Sequence, residues 1–172
     1  TAGLAIYDTM QLIRPPVLVA LGAKAQVQGK SGAKTVAIDQ LITGAYETSL
    51  AAEELLAAVE IPLPAKSQRA AYLKFQLKER PTLGLALLLD VDGDTIKKAV
   101  AVVGSVSAVP TQSNQTNSLL TGTRSQVEKQ LTDAAEALAH AADPVDDLEG
   151  SADYKRHLIG VFLRRALTKA LE

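Results

Sequence analysis

Two histidines, a run of carboxylates, one early aspartate and one lysine in an alternating segment are the side chains whose type and spacing are worth testing for chemistry. A protein-bound zinc takes three or four ligands brought together by a short motif or a helix face. His140 and His157 have no second ligand at such a spacing, and the 172 residues include no cysteine. Thiolate metal sites, iron–sulfur ligation and cysteine nucleophiles are therefore excluded within this stretch. Asp143, Asp146, Asp147 and Glu149 lack the alternating order and distal glutamate of a calcium loop and read as a solvated connector. No serine sits in a G-x-S-x-G elbow, and neither a Walker loop nor a G-x-G-x-x-G turn occurs. No catalytic residue and no metal ligand is assigned, so redox work would need a bound cofactor. Asp8, after the apolar Leu4 to Tyr7 stretch, reads equally as a strand-end cap or as a ligand contact.

Charge and composition narrow the partners. Lys and Arg number 18 against 19 Asp and Glu, a net charge of -1, which gives no broad positive field for a phosphate backbone, so nucleic acid is not expected as a partner. Hydrophobic residues make up 47%, with only four tyrosines and two phenylalanines, so the core must be built from Ala, Val, Leu and Ile. The apolar runs, such as Leu83 to Leu89, fall short of the roughly 18 to 20 residues of a membrane span, and the N-terminus does not read as a signal peptide. A soluble, cytoplasmic protein with no membrane partner is the expectation.

The elements that must position any site follow from punctuation and period. Pro15 to Leu21, entered through two prolines and closed by Gly22, predicts a short helix. Ala23 to Gly29 and Lys34 to Ile38 predict a hairpin about Lys30-Ser31-Gly32. Ala51 to Leu56 reads as one helical turn, and Ala58 to Leu63 as extended chain ended by Pro62 and Pro64. Ala70 to Leu77, Leu83 to Asp90 and Thr95 to Ser107 predict three antiparallel strands, with Asp92-Gly93 as the hairpin signal. Pro110 and the polar stretch from Thr111 to Asn117 are expected to end the sheet. A helix from about Ser125 to Ala142, with Ser125 to Glu128 as its capping box, stops at Asp143-Pro144. A last helix follows an N-cap at Ser151 and buries Tyr154, Leu158, Val161, Phe162 and Ala166. The class is α+β: residues 1–64 form a partial α/β unit, and residues 65–172 a three-stranded sheet packed with C-terminal helices.

Several segments carry a resemblance. Pro15-Pro16-Val17-Leu18-Val19-Ala20-Leu21-Gly22-Ala23, then Thr43-Gly44, Leu50, Glu53-Glu54-Leu55-Leu56 and Ile61-Pro62, then Tyr72-Leu73-Lys74-Phe75, follow one another in order. Gly104 to Pro110, Ala142-Asp143-Pro144 and Gly150 to Leu158 complete the series. Together they resemble the flavoprotein, or medium, subunit of molybdenum-containing hydroxylases, the carbon monoxide dehydrogenase and xanthine dehydrogenase family. The resemblance implies an oxidoreductase subunit that binds FAD and passes electrons between an iron–sulfur subunit and an external acceptor, beside a molybdenum-cofactor subunit. It also implies a C-terminal domain of three antiparallel strands with helices.

By the same resemblance Thr1 and Gly3 would belong to a glycine loop contacting the cofactor's phosphates, Asp8 would follow that loop, Ile61 would lie at a strand end near the flavin ring, and Lys74 would stand close to the ring. Thr1-Ala2-Gly3-Leu4-Ala5 keeps one glycine of the family's T-I-G-G loop, so the stretch reads as a truncated FAD domain. FAD-mediated electron transfer is expected to be impaired in it, and it is not expected to catalyse alone. The alternative is a stand-alone small-ligand-binding or protein-interaction domain derived from the same fold, with an open sheet edge favouring a homodimer.

Overall fold

The computed structural model describes residues 15–77 and 80–172. Two prolines preset the first turn of α1 (Pro15–Ala20). Gly22, at φ 66°, ends it: the Ala23 amide reaches back to the Leu18 carbonyl at 2.9 Å and the Gly22 amide to Val19 at 3.0 Å, the paired bonds of a glycine C-terminal motif. β1 (Lys24–Gly29) and β2 (Gly32–Ala37) form the expected hairpin. After the short α2 (Ile38–Leu41) come β3 (Ile42–Gly44) and β4 (Glu47–Thr48), a two-stranded pair, then β5 (Leu55–Glu60), which returns to β1. The first sheet has the order β2-β1-β5.

Ala51 to Leu56 is not a helical turn. The Glu54 amide bonds the Ala51 carbonyl at 3.0 Å, the Ala51 amide bonds the Glu54 carboxylate at 2.9 Å, and the strand begins at Leu55. The side chain of Glu54 thus closes a tight turn that the backbone would otherwise continue as helix. Lys34 on β2 lies 2.6 Å from the same carboxylate. That hydrogen bond, with the Ala51 amide, holds the Glu54 carboxyl below its usual range despite some desolvation.

The second sheet is the centre of the molecule. β6 (Gln68–Phe75), β7 (Leu83–Asp92) and β8 (Thr95–Gly104) are the three expected antiparallel strands. Two short strands extend them, β9 (Thr111–Gln112) and β10 (Gly122–Thr123), both paired with β8. Asp92 pairs with Thr95, so the turn residues are Gly93-Asp94 rather than Asp92-Gly93. Gly93 at φ 58° supplies the positive first position of a II′ turn. The polar segment after Pro110 also folds: α3 (Asn114–Leu119) starts at the N-cap Ser113, and the buried Thr116 hydroxyl bonds the Ala134 carbonyl at 3.0 Å.

α4 (Arg124–Ala142) opens with a capping box of Thr123 and Gln126, two residues before the expected one, and Asp143 closes it in the left-handed region at φ 43°. α5 (Ala152–Leu171) begins at Ser151 as expected. Alternation divides the sheet's two faces. Leu83, Leu85, Leu87 and Leu89 with Ala99, Ala101 and Val103 pack against α4 and α5. Ala86 and Val102, with Tyr72, Leu88 and Val100 beside them, pack against α1, β1 and α2. Tyr154 is exposed rather than buried on α5. Its ring meets Phe75 edge-on at 6.4 Å, and the stripe position it was expected to fill is taken by Lys155.

Candidate functional site

The face of the second sheet turned toward α1 carries the chemistry. Lys74 on β6 pairs with Gly84 on β7, and Gly84 pairs with Gly104 on β8, so three neighbouring positions carry one exposed cation and two residues without side chains. The Tyr72 hydroxyl, two residues along β6 on the same face, occupies the space over Gly84: a Cβ built there would stand 2.6 Å from it. Pro16 of α1 fills the same space over Gly104, again at 2.6 Å. The glycines therefore seat a phenol and a proline ring flat on the sheet. Thr82 precedes Gly84 by one alternation on this face and is fully buried. Its hydroxyl has no hydrogen-bond partner among the described residues, which is uncommon for a buried polar atom.

Alongside, the β3–β4 hairpin reaches the segment between β6 and β7. Tyr46, at φ 64°, accepts a hydrogen bond at its hydroxyl from Arg80, whose guanidinium also lies 5.8 Å from the centre of the Tyr46 ring. This contact ties the β3–β4 pair to the connection between β6 and β7.

Of the residues expected at a site, Lys74 is placed on this face and exposed. Ile61 is 49% exposed and lies just past β5, in the other sheet, so the two are not on one strand pair. Thr1, Gly3 and Asp8 lie outside the described residues. Tyr72, Thr82 and Gly84 were not expected as a group. Tyr72 stood in the element that drew notice to Lys74, whereas Thr82 and Gly84 become neighbours of Lys74 only through the strand register, which sequence spacing does not give.

An exposed cation beside a half-buried phenol suits the acceptor-bearing edge of a planar conjugated ring, whereas the Thr82 hydroxyl is buried out of reach of one. The residues thus fit the ring end of a flavin. They offer no run of convergent backbone amides that would take a pyrophosphate. His140 and His157 are both exposed, on different helices.

The chain is similar to known proteins along nearly its whole length. Residues 72–170 match the CO dehydrogenase flavoprotein C-terminal domain, and residues 14–64 the FAD binding domain in molybdopterin dehydrogenase. The carbon monoxide dehydrogenase medium chain of Afipia carboxidovorans is 33% identical over 159 residues, covering 91% of this chain and 54% of that protein. The nicotine 6-hydroxylase medium subunit of Paenarthrobacter nicotinovorans is 31% identical over 163 residues, covering 91% and 55%. The crystal structure of the Cu,Mo-CO dehydrogenase in its cyanide-inactivated form superposes with a TM-score of 0.84 at 30% identity, again over 91% of this chain and 55% of that one. The chain thus spans about half the length of the curated relatives it matches.

Proposed function

The chain belongs to the family of flavoprotein, or medium, subunits of molybdenum-containing hydroxylases, and from that premise we propose that it forms the ring side of an FAD site. FAD, when bound, supplies electron uptake and release, and the polypeptide supplies orientation and charge. Lys74, an exposed cation beside a floor made by Tyr72 and Pro16 over Gly84 and Gly104, would favour the electron-rich form of a ring lying against it. Tyr72 would hold the ring's plane. Ile61 would shield the ring's other margin, and Thr1, Gly3 and Asp8 would serve the phosphate side. Residues 1–64 and 65–172 are the two units whose junction the ring would line.

Electron transfer between an iron–sulfur subunit and an external acceptor, beside a molybdenum-cofactor subunit and in the cytoplasm, is the role this reading gives the assembled protein. Taken by itself the stretch would hold FAD weakly, because Thr1-Ala2-Gly3-Leu4-Ala5 keeps only one glycine of the family's T-I-G-G loop. The single observation that supports the reading is the row Lys74, Gly84 and Gly104 with Tyr72 beside it.

Titrating flavin fluorescence with purified protein tests it. Quenching that saturates, and that Lys74→Glu weakens with an unchanged melting temperature, is the expected result. No quenching at any protein concentration, or quenching indifferent to Lys74→Glu, would remove the proposal.

A further inference from the structure

The two ends of the α4–α5 pair differ in a way the flavin reading does not use. We propose that the acid-fringed tip at one end docks into the arginine-bearing groove at the other end of a second copy of this chain, head to tail.

The tip is Leu148, 91% exposed, in a two-residue turn closed by paired amide–carbonyl bonds between Asp147 and Gly150, both 3.2 Å. The chain around it is pinned. The Lys155 ammonium, with its side chain 0% exposed, lies 2.7 Å from Asp147 and donates to the Val145 carbonyl at 2.8 Å. The Ala152 amide donates to Asp146 at 2.6 Å. A lone exposed leucine needs no explanation. A fully buried lysine that fixes the loop presenting it does, because a rigid apolar knob loses little further freedom on binding.

Asp143 and Asp146 are exposed around the tip and Glu149 is half-buried beside them, so two tips would repel, which argues against a symmetric contact. The groove lies between the first turns of α4 and the last turns of α5, with a volume near 470 Å³ and a floor of Val127, Leu131, Leu167 and Leu171. Arg124 and Arg164 stand in its wall with Glu128 and Glu172. Exposed Arg165 and Lys169 share that end of α5 and leave it cationic even with Asp94 paired to Arg124. α5 has 20 residues, which puts tip and groove about 30 Å apart by the helical rise. A contact between unlike surfaces this far apart propagates rather than closing on itself at two copies, unless its rotation closes a ring.

Sedimentation equilibrium over a concentration series, at low salt and again at about 1 M salt where the screening length is near 3 Å, tests the proposal. The weight-average mass is expected to climb with concentration at low salt and to fall at high salt. Leu148→Ser should weaken association about tenfold or more, the effect of withdrawing a leucine from an apolar pocket. Glu149→Arg and Arg164→Glu should each weaken it and, combined in one chain, restore it. Melting curves of these variants serve as the folding control. A single-chain mass at every concentration would overturn the proposal, as would association undiminished in Leu148→Ser or no restoration in the double variant.

Discussion

Lys155 is the residue whose role departs most from its type. It occupies the apolar stripe of α5 with Leu158, Ile159, Phe162 and Ala166, yet its ammonium turns out to tie down the connector between α4 and α5. Partial desolvation works against ionisation of Asp147, but the Lys155 hydrogen bond and the Glu149 and Gly150 amides outweigh it and hold the carboxyl below its usual range. A folded-state value below the unfolded one, about 3.9, means that the stabilisation is complete above that pH and is lost as pH falls through the folded value. The melting-temperature gap between the wild type and Asp147→Asn should therefore be widest near neutrality and close as pH drops below about 4. A gap constant down to acid pH would show that the carboxylate's charge does not matter. Lys155→Met leaves the Val145 carbonyl without its donor and should cost about 2 kcal/mol in chemical denaturation. Helical spacing gave that stripe position to Tyr154, and neither Lys155 nor its partners were legible, because Val145 and Asp147 meet it only after the connector folds back.

At the scale of elements, period and punctuation carried most of the fold. The α1 glycine stop, the β1–β2 hairpin, the three long strands and the two long helices lie within a few residues of where proline, glycine and alternation put them. What was not legible depended on competition between local bonds. Thr123 outcompetes Ser125 as the cap because Gln126 answers it, and Thr123→Ala should cost about 1 kcal/mol, measured by urea unfolding. An effect of a few tenths or less would place the cap elsewhere. The turn at Gly93-Asp94 differs from the expected one by a single residue, a shift that only pairing register settles. β9, β10 and α3 were missed because short, polar elements draw their stability from β8 and α4 rather than from their own pattern. Gly84→Ala drives a methyl into the Tyr72 hydroxyl and should destabilise by about 1 to 3 kcal/mol, as overpacking does. A neutral result would mean that the phenol moves freely and is no fixed floor.

For the molecule as a whole, one sheet is shared by two cores, and the candidate site lies on the face where the N-terminal elements meet it. Lys74 was legible because it stands in a short Tyr-x-Lys element, but its company was not: Gly84 and Gly104 reach it only through the order β8-β7-β6. On the proposed function these residues would grip a flavin by its ring and contribute little to its phosphates. Parallel titrations of this protein with FAD and with riboflavin, which lacks the phosphates and adenosine, measure that directly. Dissociation constants agreeing within about threefold, less than 1 kcal/mol by the affinity relation, are the predicted result. Tight binding of FAD with riboflavin ignored, or binding of neither, would contradict it.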